Sequence, residues 1–577
     1  MTSQHIHEHV KEQVRDFSLS EELSHSIISK TCLAYMLQFN TSDLLDQNVD
    51  TSSPLAKYAS KYWILHIKSS GNNQSWSLSL LLLMTRLLSM ENAAFFNWVR
   101  IWDIDELCPN KRSLKKRRED IAGPLYYAAR AGLTEMAYFL LEQGEDVNMQ
   151  GGYYGNALQA ASHEGCVKIV RLLIQKGANI NVLEGHYGNA LQAASFGGHQ
   201  TIINLLVEHD VDVNAHGGQY GSALQAASCG GHKKIVQLLI HKGANVHSQG
   251  GYYGNALQAA SFGGHEAIVN LLVEHDADVN TPGGEFGSAL QGASYGGHEK
   301  IVQLLIYKGA NVHSQGGNYG NALQAASFGG HEAIVNLLVK HGVGINTPGG
   351  EFGSALQAAS YGGHEKIVQL LIDKGANVDF QGGNYGNALQ AASLQGHEAI
   401  VILLVEHGVN VNAHGGHFGS ALQAACCGHK KIVHLLIHKG ANVHFQGGYF
   451  GNALQAASFG GHEAIVILLV EHGVDVDVSG GKFGSALQAA SYRGNEKIVQ
   501  LLKEKGENVN SQGGYFGNAL QAASFGGHEA IINLLVEHGV DVNTCGGQFG
   551  SALQAASHGG HEKIVQLLID KGANVHL

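Results

Sequence analysis

Proline is almost missing from this sequence: 5 residues in 577, against 77 glycines. Glycine that recurs at fixed intervals without proline points to turns repeated in register, not to a semi-rigid proline linker. Cysteine is sparse too. Cys32, Cys108, Cys166, Cys229, Cys426, Cys427 and Cys545 are odd in number and show no CxxC spacing. They read as reduced thiols of an intracellular protein. Positive charge is short, 36 Lys and Arg against 48 Asp and Glu, a formal net charge of −12. That balance excludes a nucleic-acid surface spread along the chain. No secretory leader opens the sequence: "MTSQHIHEHVKEQVRDF" is polar and charged. The most apolar run, "LSLLLLMTRLLSM" from Leu78 to Met90, is too short to span a membrane and carries Arg86. It is expected to be a buried helix. No GxxxxGK[ST] phosphate loop occurs, and "GGKFGS" at Gly480 lacks the loop's first glycine and the hydroxyl after its lysine.

What is present is repetition. The leucine of "A-L-Q-A-A-S" falls at Leu158 and then every 33 residues to Leu422. The step to Leu454 is 32, and 33 resumes through Leu487, Leu520 and Leu553. Leu125 in "GPLYYAARAG" begins the series one period earlier, which makes fourteen units. The missing residue lies in "QAACCGHKK", where sibling units read "QAASxGGHxx".

Each unit reads as two short helices. Asn189 or Ser222 stands before an Ala-rich run as an N-cap, and Gly197-Gly198 ends that run. In "HQTIINLLVEH", Ile202, Leu205 and Leu206 recur at i, i+3 and i+4, one face of a second helix. Gly177 and Gly243 follow such helices as left-handed C′ residues. A Gly-rich connection such as "DVNAHGGQYG" leads to the next unit. Two-turn helices do not persist alone in water, so the units must stack as an all-α solenoid.

The 33-residue period, the Ala-Ala of helix one, "G-H" before helix two, "IVxLL" and "G-A-N-V" resemble the ankyrin repeat, over about Asp120–Leu577. The family's "T-P-L-H" is here "[NS]-A-L-Q". The resemblance implies an ankyrin array of about fourteen units over 119–577, after a small helical N-terminal region over 1–118. It implies a non-enzymatic protein–protein interaction module. The N-terminal phrases "LSHSIISKTCLAYMLQF", "PLAKYASKYWILHIKSS" and "AAFFNWVRIWD" resemble the segment that precedes ankyrin arrays in fungal NLR-like (STAND) receptors. That resemblance implies a sensor arm, here without the family's NACHT-type NTPase motif. The alternative is an intracellular or nuclear scaffold.

From Asn189 onward two versions of the unit alternate, "NALQAASFGGHEAIVNLLVEHG" and "SALQAASYGGHEKIVQLLIDKG", a 66-residue period. Nearly half of the 35 histidines fall at two repeating positions, as in His199 and His209. Helices pack about 8–10 Å apart, whereas zinc needs every ligand within about 2.3 Å. Adjacent copies therefore do not share an ion, no metal or cofactor is expected, and His199 and its equivalents are expected to cap the turn before helix two. Ser195, Ser261 and their equivalents have no acid–base partner in sequence, so no catalytic residue is assigned. "KRSLKKRRED", Lys111 to Asp120, reads as a solvated linker, with Lys111–Arg118 as an import signal in the nuclear alternative to a cytoplasmic protein.

Two positions look like recognition. Five residues after the marker leucine stands an aromatic: Phe196, Phe262, Tyr295, Phe328, Tyr361, Phe459, Tyr492 and Phe525. The ankyrin resemblance places it on a concave groove, and His163, Cys229, Leu394 and His558 replace it elsewhere. Five residues before the marker, the most variable position of the unit carries Tyr252, Glu285, Asn318, Glu351 and Asn384 among others. The invariant aromatic beside it (Tyr154, Tyr187, Phe286, Phe352) is expected to pack between units. The expected partner is another protein, not nucleic acid or a membrane. "IVQLLIDKGANVHL" has no polar capping unit after it, which suggests weak self-association through that end.

Overall fold

The computed structural model describes residues 21–40, 53–70, 76–106, 114 and 116–575. Among them are 32 α-helices and no strand longer than an isolated bridge. Contacts divide the chain into two compact bodies, residues 1–260 with 267–277, and 261–266 with 278–577.

The first body begins with four helices, α1 (Glu21–Met36), α2 (Ala56–Ser69), α3 (Leu78–Leu87) and α4 (Ala93–Ile101). The apolar run expected to be buried is α3, and only one of its faces is: Leu80, Met84 and Leu87 are inside, while Leu78 and Leu82 are 75% and 54% exposed. A ten-residue helix at the edge of a small core has one partner side, so the rest of its leucines stay in solvent.

Fourteen helix pairs follow, from α5 (Pro124–Arg130) and α6 (Thr134–Glu142) to α31 (Ala552–His558) and α32 (Glu562–Asp570). The N-caps form as the sequence predicts: Asn156 and Asn189 each accept from the backbone N–H three residues on, at 2.9 Å, and Ser222 does so at 3.2 Å. The glycines after the second helices are left-handed, φ 86° at Gly177 and 87° at Gly243. Asp210 and Asp276 hold the same conformation at φ 59° and 64°. Aspartate is among the few side chains that tolerate it.

The N-terminal helices are not a separate lobe hung on the array. Trp63 stacks edge-on to Trp98 at 5.3 Å, and Trp98 and Phe95 both pack on Tyr127 of α5 at 5.5 and 5.8 Å. All four rings are buried, so one apolar core runs from the helical region into the first unit. Polar groups seal the junction. Tyr126 donates to the Asp105 carboxylate at 2.6 Å, the Tyr153 N–H donates to it at 3.0 Å, and Lys116 pairs with Asp103 at 2.6 Å. Burial pushes the Asp105 carboxyl above its ordinary range, although the Tyr126 hydroxyl opposes this.

That arrangement corrects the reading of the basic run. Lys116 is held by Asp103, Arg118 lies 4.6 Å over the Phe96 ring, and Arg117 pairs with Asp120 at 3.0 Å. Lys116 is folded onto the junction by the buried Asp103, whereas Arg117 and Arg118 are exposed and Arg117 pairs within the run itself, so the solvated reading holds for those two. Lys111–Ser113 and Lys115 lie outside the described residues, as does Cys108.

Candidate functional site

Each connection folds into a tight hairpin closed by an isolated bridge, between two glycines from Gly217↔Gly221 onward. Its glycines are dictated by crowding. Gly218 sits at φ 62°, and a Cβ there would lie 2.2 Å from the carbonyl carbon of Tyr187. The variable residue occupies the tip of the hairpin, and successive tips bond to one another through the backbone. In the first body the ladder runs His186 N–H to Tyr153 O (2.9 Å), Gln219 to His186 (2.8 Å) and Tyr252 to Gln219 (2.6 Å). In the second it runs from Glu285 to Gln548: Asn318 N–H donates to Glu285 O at 2.8 Å, Glu351 to Asn318 at 2.8 Å, Asn384 to Glu351 at 2.7 Å, and onward. The main chain is therefore the same at every tip while the side chain changes.

Neighbouring tip side chains touch. The Asn318 amide donates to Glu285 at 2.7 Å, and the Tyr153 and His186 rings stack at 4.4 Å. Lys482 reaches the Tyr449 hydroxyl at 2.8 Å, with its ammonium 5.1 and 5.8 Å from the rings of Tyr449 and Tyr515. Tyr252 and Tyr515 are each 38% exposed.

The aromatics at the end of helix one do not form a free groove. Phe196, Phe262, Tyr295, Phe328, Tyr361, Phe459, Tyr492 and Phe525 are all half-buried. Phe262 stacks on Phe286 of the next connection at 4.7 Å, and each of the others wedges between the invariant connection aromatics of its own unit and the next. Phe328 meets Tyr319 at 5.4 Å, Phe352 at 4.8 Å, and its own equivalents Tyr295 and Tyr361 at 5.9 and 6.0 Å. The connection aromatics stack on each other in turn, as with Tyr187 and Tyr220 at 5.3 Å and 5°. Only the outer edge of each stripe ring is available to a partner. The smaller or polar replacements are accommodated the same way: His163 lies 4.7 Å from Tyr154 and bonds the Tyr187 hydroxyl at 3.1 Å.

Two inter-unit staples complete the face. The first corrects the histidine reading. No side-chain bond caps the helix that follows His199; its Nε2–H donates instead to the carbonyl of His163, in the preceding unit, at 2.8 Å. His232, His331 and His364 bond to Phe196, Tyr295 and Phe328 in the same way, each at 2.8 Å. Helix ends leave carbonyls without partners, and the next unit supplies one. The "GGH" motif follows: Gly198 is left-handed at φ 82°, and a Cβ on it would sit 2.6 Å from the His232 ring. The second staple was missed in sequence. The buried Gln of "A-L-Q" donates to two hairpin carbonyls of the next unit, Gln225 to Gly250 at 2.9 Å and Gly254 at 3.0 Å. Its invariance at a buried site was the available signal, because a buried amide must be satisfied.

The irregular unit breaks this pattern locally. Its first helix, α23 (Ala421–Ala425), has five residues where siblings have seven or eight, and Gly428 adopts φ 139°. His429 keeps its bond to Leu394 O at 2.9 Å despite the missing residue. The loss falls one unit later: the His462 side chain has no hydrogen-bond partner among the described residues, since the shortened helix no longer presents the carbonyl.

One carboxyl departs from the repeat inside the core. Glu507 is 4% exposed where sibling units carry Ala244, Ala310 or Val474. It accepts from the Leu487 N–H at 2.9 Å. Burial pushes its carboxyl up to about 8. Among the described residues no three His, Cys, Asp or Glu are grouped to hold a metal, and no helix is long and apolar enough to cross a membrane. In α31, Leu553 is half-buried and Gln554 exposed, where interior equivalents are buried.

A family model described as ankyrin repeats (3 copies) matches residues 104–184, 125–216, 181–250, 225–316, 256–348, 290–382, 322–415, 355–447 and 421–513. A second, ankyrin repeats (many copies), matches 519–569. The azaphilone pigments biosynthesis cluster protein L of Monascus ruber is 34% identical over 163 residues, 26% of this chain. The match spans 34% of that relative's own length. The human ASB11 ankyrin repeat domain matches with a TM-score of 0.33 at 27% identity, over 38% of this chain and 99% of that domain. The models match well over half of the chain and no catalytic family is indicated; the chain belongs to the ankyrin-repeat family, whose repeats imply protein partners.

Proposed function

We propose that the chain is a recognition arm that binds a partner protein along the hairpin tips and the exposed edges of the aromatic stripe. The observation that carries this reading is the tip ladder: an unvarying backbone that offers one different side chain per unit. Packing has no use for that variation, because the tips are exposed or half-buried, and variable side chains on a rigid scaffold are how binding surfaces are built. The residues assigned are Tyr252, Glu285, Asn318, Glu351 and Asn384, with the outer edges of Phe262, Tyr295, Phe328 and Tyr361 beside them. The arm belongs to a signalling protein of the fungal NLR-like kind on this reading. The likeness of residues 23–103 to the segment preceding such arrays supports it, as does a fungal relative. Lys116, held by Asp103 at the junction, counts against the nuclear-scaffold alternative.

The test is capture by the full chain and by a tip variant, Tyr252→Gln, Glu285→Asn and Glu351→Asn. Each new residue already stands at a sibling tip, so the fold is kept. Loss of specific captured proteins with an unchanged melting curve supports the reading. An unchanged captured set refutes it.

A further inference from the structure

The outward faces of the second helices carry a departure that the tips do not explain. α22 (Glu398–Glu406) and α24 (Lys430–His438) flank a groove of about 520 Å³. Ile402 and Leu435 form its apolar floor; Lys430, Lys431 and His434 stand on one side and Glu398 on the other. Ile402 is 39% exposed. Sibling helices carry Asn204, Asn270, Asn336 or Asn533 at that position, and glutamine where His434 stands. Ile467 repeats the aliphatic in the following pair, but the helix beside it keeps Glu496 and Gln500. Gln303, Gln369, Gln500 and Gln566 find partners on their own helices, as Gln369 does with Asp373 at 2.7 Å, whereas the His434 side chain has none among the described residues. A polar pair has thus been exchanged for an exposed aliphatic and an unpartnered imidazole, with no burial gained.

The charges depart as well. Lys430 replaces the glutamate that most siblings place first in this helix, such as Glu365 and Glu463. A cation at a helix N-terminus opposes the helix dipole and is destabilising. Lys431 reaches Glu398 only at 3.7 Å, with its own side chain 84% exposed. In a chain of net charge −12 this cluster is a local reversal of sign. Stability is given up at these positions for a basic rim around an apolar floor.

We infer that this groove docks an acidic, amphipathic segment of a partner protein. An aliphatic side chain of that segment seats over Ile402 and Leu435, and its carboxylates face Lys430 and Lys431, with His434 as a further donor. The surface is distinct from the hairpin tips. An internal control exists. The pair Lys233 and Lys234 repeats the charge in another unit, but its groove position is Asn204 and its glutamine, Gln237, is retained. Charge is shared by the two sites; the aliphatic floor is not.

The experiment titrates the full chain with a fluorescein-labelled peptide of about twelve residues, Glu- and Asp-rich with two leucines four apart, and reads anisotropy. Unilamellar vesicles containing phosphatidylserine form a second arm. The expected result is peptide binding that weakens roughly tenfold or more in Ile402→Asn and in Lys430→Glu/Lys431→Glu, the order of loss for a central anchor. Binding should change less than about twofold in Lys233→Glu/Lys234→Glu, and fall as salt rises from about 50 to 300 mM. Melting curves confirm that each variant is folded, and Ile402→Asn restores a residue that four siblings carry. Equal weakening by the Lys233/Lys234 variant would reduce the effect to unspecific charge and overturn the proposal. So would indifference to Ile402→Asn, absence of peptide binding, or vesicle binding in place of peptide binding. The hairpin-tip variant keeps this binding, so failure here and failure of the tip reading are distinguishable.

Discussion

Glu507 makes the stability of the second body fall as pH rises. Its carboxyl titrates near 8 in the fold against an ordinary 4.5. Between those values the folded chain holds a proton that the unfolded chain has released, so stability drops with rising pH. At about 1.4 kcal/mol per pH unit the full window is worth about 5 kcal/mol. Relaxation and water entry around one turn of a repeat reduce this, and a range of about 2–5 kcal/mol is expected. The sign runs opposite to a paired surface carboxylate: full stability lies below about pH 4.5, and the loss is complete above about 8. Glu507→Ala installs the residue of sibling units, as at Ala244 and Ala310. The assay is urea unfolding of wild type and variant at pH 5, 6, 7 and 8, comparing only the difference between them so that every other group cancels. The variant should gain on wild type by about 1 kcal/mol per pH unit and be the more stable at pH 8. Parallel curves, or a variant that loses ground as pH rises, would refute a buried, protonated Glu507.

Three further outcomes are expected. Replacing Phe262, Tyr295, Phe328 and Tyr361 together by alanine should cost about 6–8 kcal/mol: a buried phenylalanine is worth about 3–5 kcal/mol and these are half-buried, with neighbours coupled. A melting temperature within a degree of wild type would show instead that the stripe is free of the core. Amides of Leu422–Ala425 and Ala453–Ala457 should exchange faster than Leu356–Ala359, because His462 lacks its staple, and one serine inserted after Cys426 should restore protection; equal exchange rates in the unaltered chain would exclude this. Asp276→Gly should stabilise by about 0.5–1 kcal/mol, since glycine adopts φ 64° freely, and denaturant midpoints that do not rise would count against strain at this turn.

The period, the fourteen helix pairs, the asparagine and serine caps and the left-handed glycines are all legible in the chain. All of these are local. A cap acts on an N–H three residues away, a helix shows its face every three to four residues, and a C′ glycine answers to its own φ. The features that no local pattern encodes lie between units. The His199 ring serves a carbonyl 36 residues earlier, the Gln225 amide serves carbonyls 25 and 29 residues later, and the hairpin tips share one backbone ladder. A periodic sequence shows that such residues recur but not which copy each one addresses. The same holds for the aromatic stripe: variation in size suggested a free surface, yet the rings are wedged between connection aromatics of two units. Lys116 looked solvated because its partner, Asp103, comes from a helical region whose position on the array no local pattern encodes. Spacing along the chain fixes what each unit is, and the contacts made by stacking fix what each residue does.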